Sequence, residues 1–539
     1  MACGAEKRSK LRGMKPKKRF KMTNRRDQTY YESSLWCYTD KLSFLPGETI
    51  RFHVSSPEPA FACRISRLGA QEVVVFEQDG YSAAPQEIPA EVYRTGCQWP
   101  VAFELNVPGE WRSGYYRVQL IAEHSDCEHF VVIKNPTPER QAKLALVLAT
   151  NTYQAYNSWG GMCLYGTDDP NKFDMTGDRS PILSLDRPFS RYLIASPVRM
   201  RLGARTPRGF QENANRADFV LDRVLDLDFP VWDPPTGFLN NWEHQFVVWA
   251  EANGYELDYY AQYDLDENPE CLFPYQCYLS VGHDEYWSWA ERDAVESFTE
   301  QGGKAFFMSG NTSYWQVRFQ QEGREMVGYK YDTLEKDPLV GTKDEKYMSG
   351  MWSDPLTGRP ETQMTGTTFT RAGYARIGLN ASAGVGGYTV YRPDHWALEG
   401  TELCFGDVFG QENILCSYEM DGCAYTIREG LPVPTGEDGT SLDFEIIATA
   451  SASLGEPENT KLQGKFGYFD ASFVARRIFG ADTKENRDRA RRGQAAMGTF
   501  NKGRGSVFSV GTTEWAWGLA EGNPYVDRIT RNVLDRFLK

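Results

Sequence analysis

The residues best suited to chemistry stand at 283–285, where His283, Asp284 and Glu285 follow a short apolar run and a glycine. If the chain is still extended there, residues two apart point the same way, so His283 and Glu285 share one side. An imidazole and a carboxylate on one side of a strand end can bind a metal ion or transfer protons. Taken alone, the pair favours a structural interpretation, because a lone His-x-Glu is common and an acid often caps the helix that follows.

A second group of chemically suitable side chains follows the apolar run at residues 144–149. Tyr153, Tyr156 and Tyr165 stand there, close to a pair of glycines. Phenolate oxygens are hard donors, which suit a hard ferric ion rather than zinc or copper(I). The alternative interpretation is that these rings pack over the edge of a sheet, and the residues alone leave both interpretations open.

A strand–turn–helix–strand unit is predicted to position these groups. The apolar run at 278–281 predicts a strand, and the apolar spacing from residue 286 predicts a helix that ends at the glycines 302–303. Residues 304–308 predict a second buried strand, which Asn311 follows. Ligands gather at the carboxyl ends of the strands in such sheets, so the sequence predicts an α/β fold with a doubly wound sheet. Further elements of this sheet are predicted at 144–149, 242–252 and 255–260.

Composition divides the chain into three parts. Residues 1–30 are rich in Lys and Arg and lack the apolar region of a secretory signal, which predicts a disordered basic tail. From 31 to 137, short alternating runs broken by turn residues predict an all-β sandwich. Residues 138–539 carry the α/β pattern. Within them, a β-rich insertion around 358–480 is predicted to cover the site.

The overall composition excludes several classes of protein. A net charge of -14 argues against a body that binds nucleic acid. No run is long and apolar enough to span a membrane. The 11 cysteines are scattered without a C-x-x-C pair, which excludes a zinc ribbon and a thioredoxin-type site. Buried cysteines in a reducing compartment are expected instead, so the predicted location is cytoplasmic.

Seven short motifs then carry a resemblance to a known family: TYQAYNSWGGMCLYG, VGHDEYWS, FMSGNTSYW, YKYDT, YEMDG, GTTEWAWG and RITRNVLDRF. In this order they resemble the large (β) subunit of N,N-dimethylformamidases, chiefly its C-terminal domain, over residues 143–538. The preceding sandwich is also similar to the β domain that comes before the catalytic part in that family. Each motif is weak alone, whereas seven in order indicate the family more strongly than its substrate.

The resemblance implies an amidohydrolase that acts on a small or N-substituted amide. It also implies one mononuclear ferric iron, held by two tyrosines and a glutamate, on a fold that resembles class I glutamine amidotransferases. On this basis Glu285, Tyr156 and Tyr165 are the expected iron ligands. Tyr153 competes with Tyr156 for the first tyrosine position.

The same resemblance matches His283 to the family's second-shell histidine and Asn311, Lys330 and Glu419 to further positions of its site. Ordinary acid–base chemistry then gives the roles expected of these groups. His283 is the expected general base, and Glu419 of the YEMDG motif, which carries a second acid at Asp421, shares the proton transfer. Asn311 and Lys330 are expected to hold the oxyanion. Three aromatic residues are expected to line a pocket that excludes water: Tyr286, Trp315 and Trp515.

Two alternatives belong to other classes of protein. One is a non-catalytic protein that binds carbohydrate or a partner on the same scaffold, and the other is an iron enzyme of a different reaction type. A glutaminase with a cysteine nucleophile is disfavoured, because His283 stands where that nucleophile is expected. The presence of both the tyrosines and the His-x-Glu pair argues against a decayed site. Whether a small partner subunit or a homo-oligomer exists stays open.

Overall fold

A computed structural model describes residues 31–135, 141–166, 179–190, 193–195, 236–375, 386–454 and 470–539. The basic tail predicted at 1–30 lies outside these residues. Within the described ranges, none of the helices combines the length and the apolar composition needed to cross a bilayer.

The strands of the N-terminal part form two sheets around one core. They are β1 Trp36–Thr39, β2 Ser43–Phe44, β3 Thr49–Ser55, β4 Phe61–Leu68, β5 Glu72–Tyr81, β6 Val101–Asn106, β7 Gly114–Ile121 and β8 Asp126–Ile133. One sheet has the order β1-β3-β6 and the other β2-β8-β7-β4-β5. Phe52 and Phe103 of the first sheet share a core with Ile65 and Val118 of the second, because alternate residues of each strand point inward.

The rest of the chain alternates helices with strands. The strands are β9 Leu144–Leu148, β10 Ile182–Ser184, β11 Leu257–Ala261, β12 Cys277–His283, β13 Tyr286–Ser288, β14 Lys304–Gly310, β15 Trp315–Gln320, β16 Glu325–Val327, β17 Thr368–Tyr374, β18 Tyr388–Val390, β19 Val408–Phe409, β20 Glu419–Gly422, β21 Tyr425–Arg428, β22 Leu431–Pro434, β23 Glu445–Ser451, β24 Gln494–Lys502 and β25 Gly505–Ser509. The α-helices of the whole described chain are α1 Val92–Thr95, α2 Thr150–Tyr156, α3 Glu243–Ala252, α4 Gln262–Glu267, α5 Trp289–Glu300, α6 Thr333–Lys336, α7 Thr362–Thr365, α8 Asp470–Phe479, α9 Lys484–Ala490, α10 Trp515–Ala520 and α11 Pro524–Phe537.

The central sheet is parallel on one side and antiparallel on the other. Its order is β11-β9-β12-β14-β25-β24-β23-β18-β19, and the pairs from β11 to β25 are parallel. The pairs from β25 to β19 are antiparallel, and β20 joins β17 to β24. Strands β17 to β20 and β23 come from residues 358–480. That segment therefore extends the central sheet and brings Glu419 to it.

Alternate residues of the parallel strands fill two separate cores. Leu279 and Phe306 pack in the core that includes α3 and α11. Tyr278 and Phe307, one position away, pack in the core that includes α5. Strands with both faces covered by helices are apolar throughout, which explains the continuous apolar runs in the sequence.

The helix after the His-x-Glu pair begins later than its apolar spacing predicts. Tyr286 and Ser288 belong to β13, which pairs in parallel with β15. Ser288 is the N-cap of α5: its Oγ accepts from the Glu291 backbone N–H at 3.1 Å, and the Ser288 backbone N–H donates to Glu291 Oε2 at 2.8 Å. This capping box fixes the helix start and leaves Tyr286 free to point into the site.

Candidate active site

The seven residues predicted to act together do lie together, at the carboxyl ends of the parallel strands. His283 ends β12 and Asn311 follows β14, while Tyr156 ends the helix after β9. Tyr165 lies in the loop after that helix, and Glu285 lies just after β12. Lys330 is at the start of a 3₁₀ turn, and Glu419 is the first residue of β20. All seven are buried. Ligands bind at this edge of α/β sheets.

Three oxygen-bearing side chains converge on one point. The Tyr165 hydroxyl lies 2.8 Å from both Oε1 and Oε2 of Glu285. The Tyr156 hydroxyl lies 3.2 Å from Oε2 of Glu285, and the two tyrosine rings are 4.4 Å apart between centroids. Glu285 is held in place by its backbone N–H, which donates to Thr152 Oγ1 at 3.1 Å. Two phenols and a carboxylate therefore face each other inside the protein.

This donor set suits a small, hard cation. Oxygen ligands at 2.0–2.1 Å from such an ion lie about 3 Å from one another, and the Tyr156 and Tyr165 hydroxyls lie at such a distance from Glu285. Within the described ranges, no group of three or more His, Cys, Asp or Glu side chains could hold a metal ion. A metal at this point would therefore depend on the phenols, and hard oxygen donors favour ferric iron over softer metals.

The electrostatics of the two phenols set a condition for metal binding. Burial raises the pKa of Tyr156 and of Tyr165 well above 10, and the charge of Glu285 raises both further. The phenols therefore stay protonated beside the carboxylate unless a positive charge offsets it. A bound cation supplies such a charge and reverses the direction of these pKa shifts.

His283 stands between two carboxyl groups. Its Nε2 lies 2.7 Å from Glu419 Oε2 and 3.2 Å from Glu285 Oε2. These are close contacts without hydrogen-bond alignment, because His283 Nε2 and Glu419 Oε2 are both buried without a bonded partner among the described residues. Burial alone lowers the pKa of His283, but Glu419 and Glu285 raise it to about 10. The imidazole therefore holds a proton that it can pass to either side.

The two carboxyl groups beside His283 differ. Burial opposes ionisation of Glu285, but its contact with His283, together with the charge of Lys330, lowers the pKa of Glu285. Burial raises the pKa of Glu419, although His283 and a hydrogen bond with the Asn311 side chain act in the opposite direction. Glu285 is thus the charged carboxylate of the pair, and Glu419 is the one that more readily carries a proton.

Lys330 reaches the same cluster from the opposite side. Its Nζ donates to the Tyr286 hydroxyl at 2.6 Å, and that hydroxyl donates to the Tyr165 hydroxyl at 2.7 Å. The Nζ also lies 3.0 Å from the centroid of the Tyr165 ring. Burial lowers the pKa of Lys330 to about 7, with Glu285 acting against that shift. A hydrogen-bonded row therefore runs from Lys330 to Glu285.

Tyr153, the competitor of Tyr156, lies elsewhere. Its hydroxyl donates to Glu243 Oε2 at the start of α3, and its ring packs edge-on against Phe130 of the sandwich. The two tyrosines are three residues apart on the short helix α2, yet their hydroxyls meet different carboxylates, Glu243 and Glu285. The structure therefore brings Tyr156, and not Tyr153, to the cluster.

The aromatic residues expected around the pocket divide in the same way. Tyr286 and Trp315 lie within 5.3 Å and 5.1 Å of Lys330 Nζ, measured to their ring centroids. Trp515 instead donates to Thr530 Oγ1 of the C-terminal helix at 2.9 Å. The described contacts of Trp515 are with Thr530 of α11 and with the ring of Phe409, so they do not join it to the cluster.

Several residues of the site were not predicted from the sequence. The rings of Tyr418 and Trp242 lie 5.8 Å and 5.9 Å from that of His283. Asp470 begins α8 beside Tyr331, and burial, with Glu419 adding to it, raises its pKa to about 7. Tyr418 could have been found from the sequence, because it is the neighbour of Glu419 in the YEMDG motif. No local pattern indicates Asp470.

Two conformational devices support the cluster. Gly282, just before His283, has a φ of 80°, and a Cβ there would lie 2.4 Å from Trp242 Cβ. Only glycine fits this position. Arg187 is fully buried and donates to the carbonyls of Ser184 and Asn157, each at 2.9 Å. Its guanidinium thus secures the loop that leads from Tyr156.

Comparison with known proteins adds a family to this geometry. The family described as "N,N-dimethylformamidase beta subunit-like, C-terminal" matches residues 62–527, which include most of the sandwich. Two curated relatives, from Alcaligenes sp and Paracoccus aminophilus, are both named N,N-dimethylformamidase beta subunit. Each is 23% identical, over 476 and 472 residues respectively, which covers 82% of this chain and 55% of the relative. This chain therefore spans about half the length of the curated relatives it matches.

Proposed function

The chain belongs to the N,N-dimethylformamidase beta subunit-like family, and from this premise we propose that it is a hydrolase of a small or N-substituted amide. The reaction breaks the C–N bond with water and releases a carboxylic acid and an amine, which exchange a proton to give a carboxylate and an ammonium ion. The observation that carries the proposal is the convergence of Tyr156, Tyr165 and Glu285 beside the unbonded Nε2 of His283.

In this proposal the two tyrosines and Glu285 hold a ferric ion. Their oxygen atoms supply the hard donors that this ion prefers. When bound, the ion supplies Lewis acidity, which polarises an amide carbonyl and lowers the pKa of water. When it is protonated, Lys330 places a positive charge next to Tyr165 through Tyr286 and favours the ionised form of that phenol.

His283 and Glu419 together handle the protons of the reaction. The 2.7 Å separation of His283 Nε2 and Glu419 Oε2 brings the two groups within reach of proton transfer once they align. Because His283 already holds a proton, the Glu419 carboxylate takes one from the attacking water, and the pair returns a proton to the amine nitrogen as the C–N bond breaks. The amine must leave protonated, because an amide anion is a poor leaving group. The total proton count of the pair is unchanged after one turnover.

Asn311 and Lys330 stabilise the negative charge that develops on the carbonyl oxygen. The Asn311 amide has two N–H donors, of which one serves Glu419 and the second is available to the substrate. Both groups are buried in the same cluster, where a hydrogen bond to developing charge is worth more than in water. Tyr418, Trp242 and Trp315 surround the site with aromatic surface, which favours a small apolar amide.

Two wider statements belong to the same proposal. The parallel strands from β11 to β25, with His283 at the end of β12, support a relation to the class I glutamine amidotransferase fold. The curated relatives are named as beta subunits. We propose that this protein also assembles with further chains. Size-exclusion chromatography with light scattering tests this directly.

Anaerobic turnover of small amides tests the function. Iron-replete protein is incubated with formamide, N-methylformamide and N,N-dimethylformamide, and the carboxylate and the amine are both measured. The proposal predicts equal amounts of the two products, and their loss in Glu285→Gln but not in Tyr153→Phe. Turnover that requires oxygen would favour an iron enzyme of another reaction type. If none of the three amides is hydrolysed although they still bind, a binding protein on this scaffold would be favoured.

A further inference from the structure

Asp421 lies directly behind the site and has no part in the chemistry proposed above. It is almost fully buried, two residues after Glu419 on β20. Its Oδ1 accepts the backbone N–H of Asn311 at 2.8 Å, and its Oδ2 accepts that of Thr312 at 3.0 Å. Residues two apart on a strand point to the same side, so Glu419 and Asp421 both face the end of β14.

The loop that Asp421 holds has a strained backbone. Asn311 has a φ of 52° and Ser313 a φ of 53°, both in the left-handed region. Residues other than glycine adopt this conformation at a cost, so it persists where the surroundings impose it. Burial raises the pKa of Asp421 to about 7, and above that pH its carboxylate accepts stronger hydrogen bonds from backbone N–H groups than a neutral acceptor does. Asp421 therefore supplies a constraint that the loop sequence does not.

The same loop also touches the strands on either side of it. The Ser313 backbone N–H donates to the Asp284 carbonyl at 2.8 Å, next to His283. At Gly310, an added Cβ would lie 2.4 Å from the Glu419 carbonyl oxygen. The end of β14 is therefore in direct contact with the backbone of β20 at Glu419. A shift of the loop would change the position of Asn311 relative to both acids of the site.

We propose that Asp421 is a positioning residue that sets the place of the Asn311 side chain relative to Glu419. It does so by holding the backbone of Asn311 from the strand that carries Glu419. The effect on turnover rests on the proposed function, whereas the effect on the loop does not. Asp421 acts through Asn311 and does not itself contact the substrate.

Two matched variants isolate this role. Asp421→Asn keeps the size of the side chain but loses the charge and one of the two acceptor oxygens. Asp438→Asn is the control: Asp438 also accepts two backbone N–H groups, from Ala424 at 2.5 Å and from Thr440 at 3.2 Å. A third variant, Asn311→Gly, removes the side chain to be positioned and relieves the left-handed strain.

Hydrogen exchange read by mass spectrometry tests the loop without reference to turnover. In Asp421→Asn, hydrogen exchange in a peptide covering residues 309–313 is expected to become about tenfold faster. The reason is that the hydrogen bonds from backbone N–H groups to a charged acceptor are weakened. Asp438→Asn is expected to leave that peptide unchanged. Unchanged exchange in Asp421→Asn would overturn the inference, whatever the enzyme does. Thermal unfolding of each variant confirms that it is folded.

Amide turnover tests the second half of the inference. We expect Asp421→Asn to lower kcat about tenfold with KM within about twofold, because displaced groups act mainly on the transition state. In the Asn311→Gly background, Asp421→Asn is expected to have no further effect on kcat. Equal losses in both backgrounds would show that Asp421 acts independently of Asn311 and would overturn the inference. If the unaltered chain hydrolyses no amide, the proposed function fails and the exchange experiment alone decides the positioning role.

Discussion

Two tyrosines on one short helix allow stability and function to be separated. Tyr153→Phe removes the hydroxyl that donates to Glu243, a buried carboxyl whose pKa burial raises to about 8. The Oε2 of Glu243 is then left without that bond, which costs about 1–3 kcal/mol of unfolding free energy. Tyr156→Phe removes a longer contact, 3.2 Å to Glu285, while Tyr165 keeps 2.8 Å contacts to both oxygens of that carboxylate. The expected loss of stability there is below about 1 kcal/mol.

The functional effects are expected in the opposite order. Tyr153→Phe retains iron and amide turnover, because its hydroxyl does not face the cluster. Tyr156→Phe loses one of three oxygen donors and is expected to lose most of both. Urea unfolding measures the loss of stability in each variant. Metal analysis and a turnover assay measure the loss of iron and of activity. The reasoning is refuted if Tyr153→Phe abolishes turnover in folded protein, or if Tyr156→Phe leaves both iron and turnover intact.

Three further predictions concern the supporting structure. Burial lowers the pKa of His129 from 6.5 to about 3, so below pH 6.5 the unfolded chain binds a proton that the native chain does not. The free energy of unfolding therefore falls by about 1.4 kcal/mol per pH unit as the pH falls from 6.5 towards 3. His129→Gln is expected to reduce this pH dependence, which urea unfolding at pH 7.5 and 5.5 measures. Gly282→Ala is expected to lower turnover and stability by a clash with Trp242, whereas Gly254→Ala, with a similar φ of 81° but open space around it, should show only backbone strain in the same two assays. Arg187→Lys cannot reproduce the fork of donors that secures the loop after α2, and we expect weaker iron binding by titration with little change in fold by circular dichroism.

Local patterns predicted the part of the fold that lies close together in the sequence. Apolar spacing predicts the strand before His283, the helix after it and the strand before Asn311. In each element the buried residues recur with the period of that element. Apolar spacing alone places the start of the helix too early, since the apolar residues of β13 continue the helical spacing. The capping box of Ser288 and Glu291 is visible in the sequence and marks the correct start.

The site draws on contacts that no local pattern encodes. Glu419 reaches the cluster because β20 pairs with β17 and β24, and such long-range pairing cannot be deduced from the spacing of nearby residues. Its assignment came from the resemblance to the family. The separation of Tyr153 from Tyr156 also needed the structure, since both belong to the same short motif and differ only in the carboxylate that each meets.

We propose that two phenols and a carboxylate of this chain hold a ferric ion, and metal analysis together with a visible spectrum shows whether they do. Protein expressed with ample iron is predicted to contain about one iron per chain and to show a phenolate-to-iron absorption band. The band is expected to be lost in Tyr156→Phe and in Glu285→Ala and kept in Tyr153→Phe. A colourless, iron-free protein under these conditions, or a band that survives both site variants, would contradict the account.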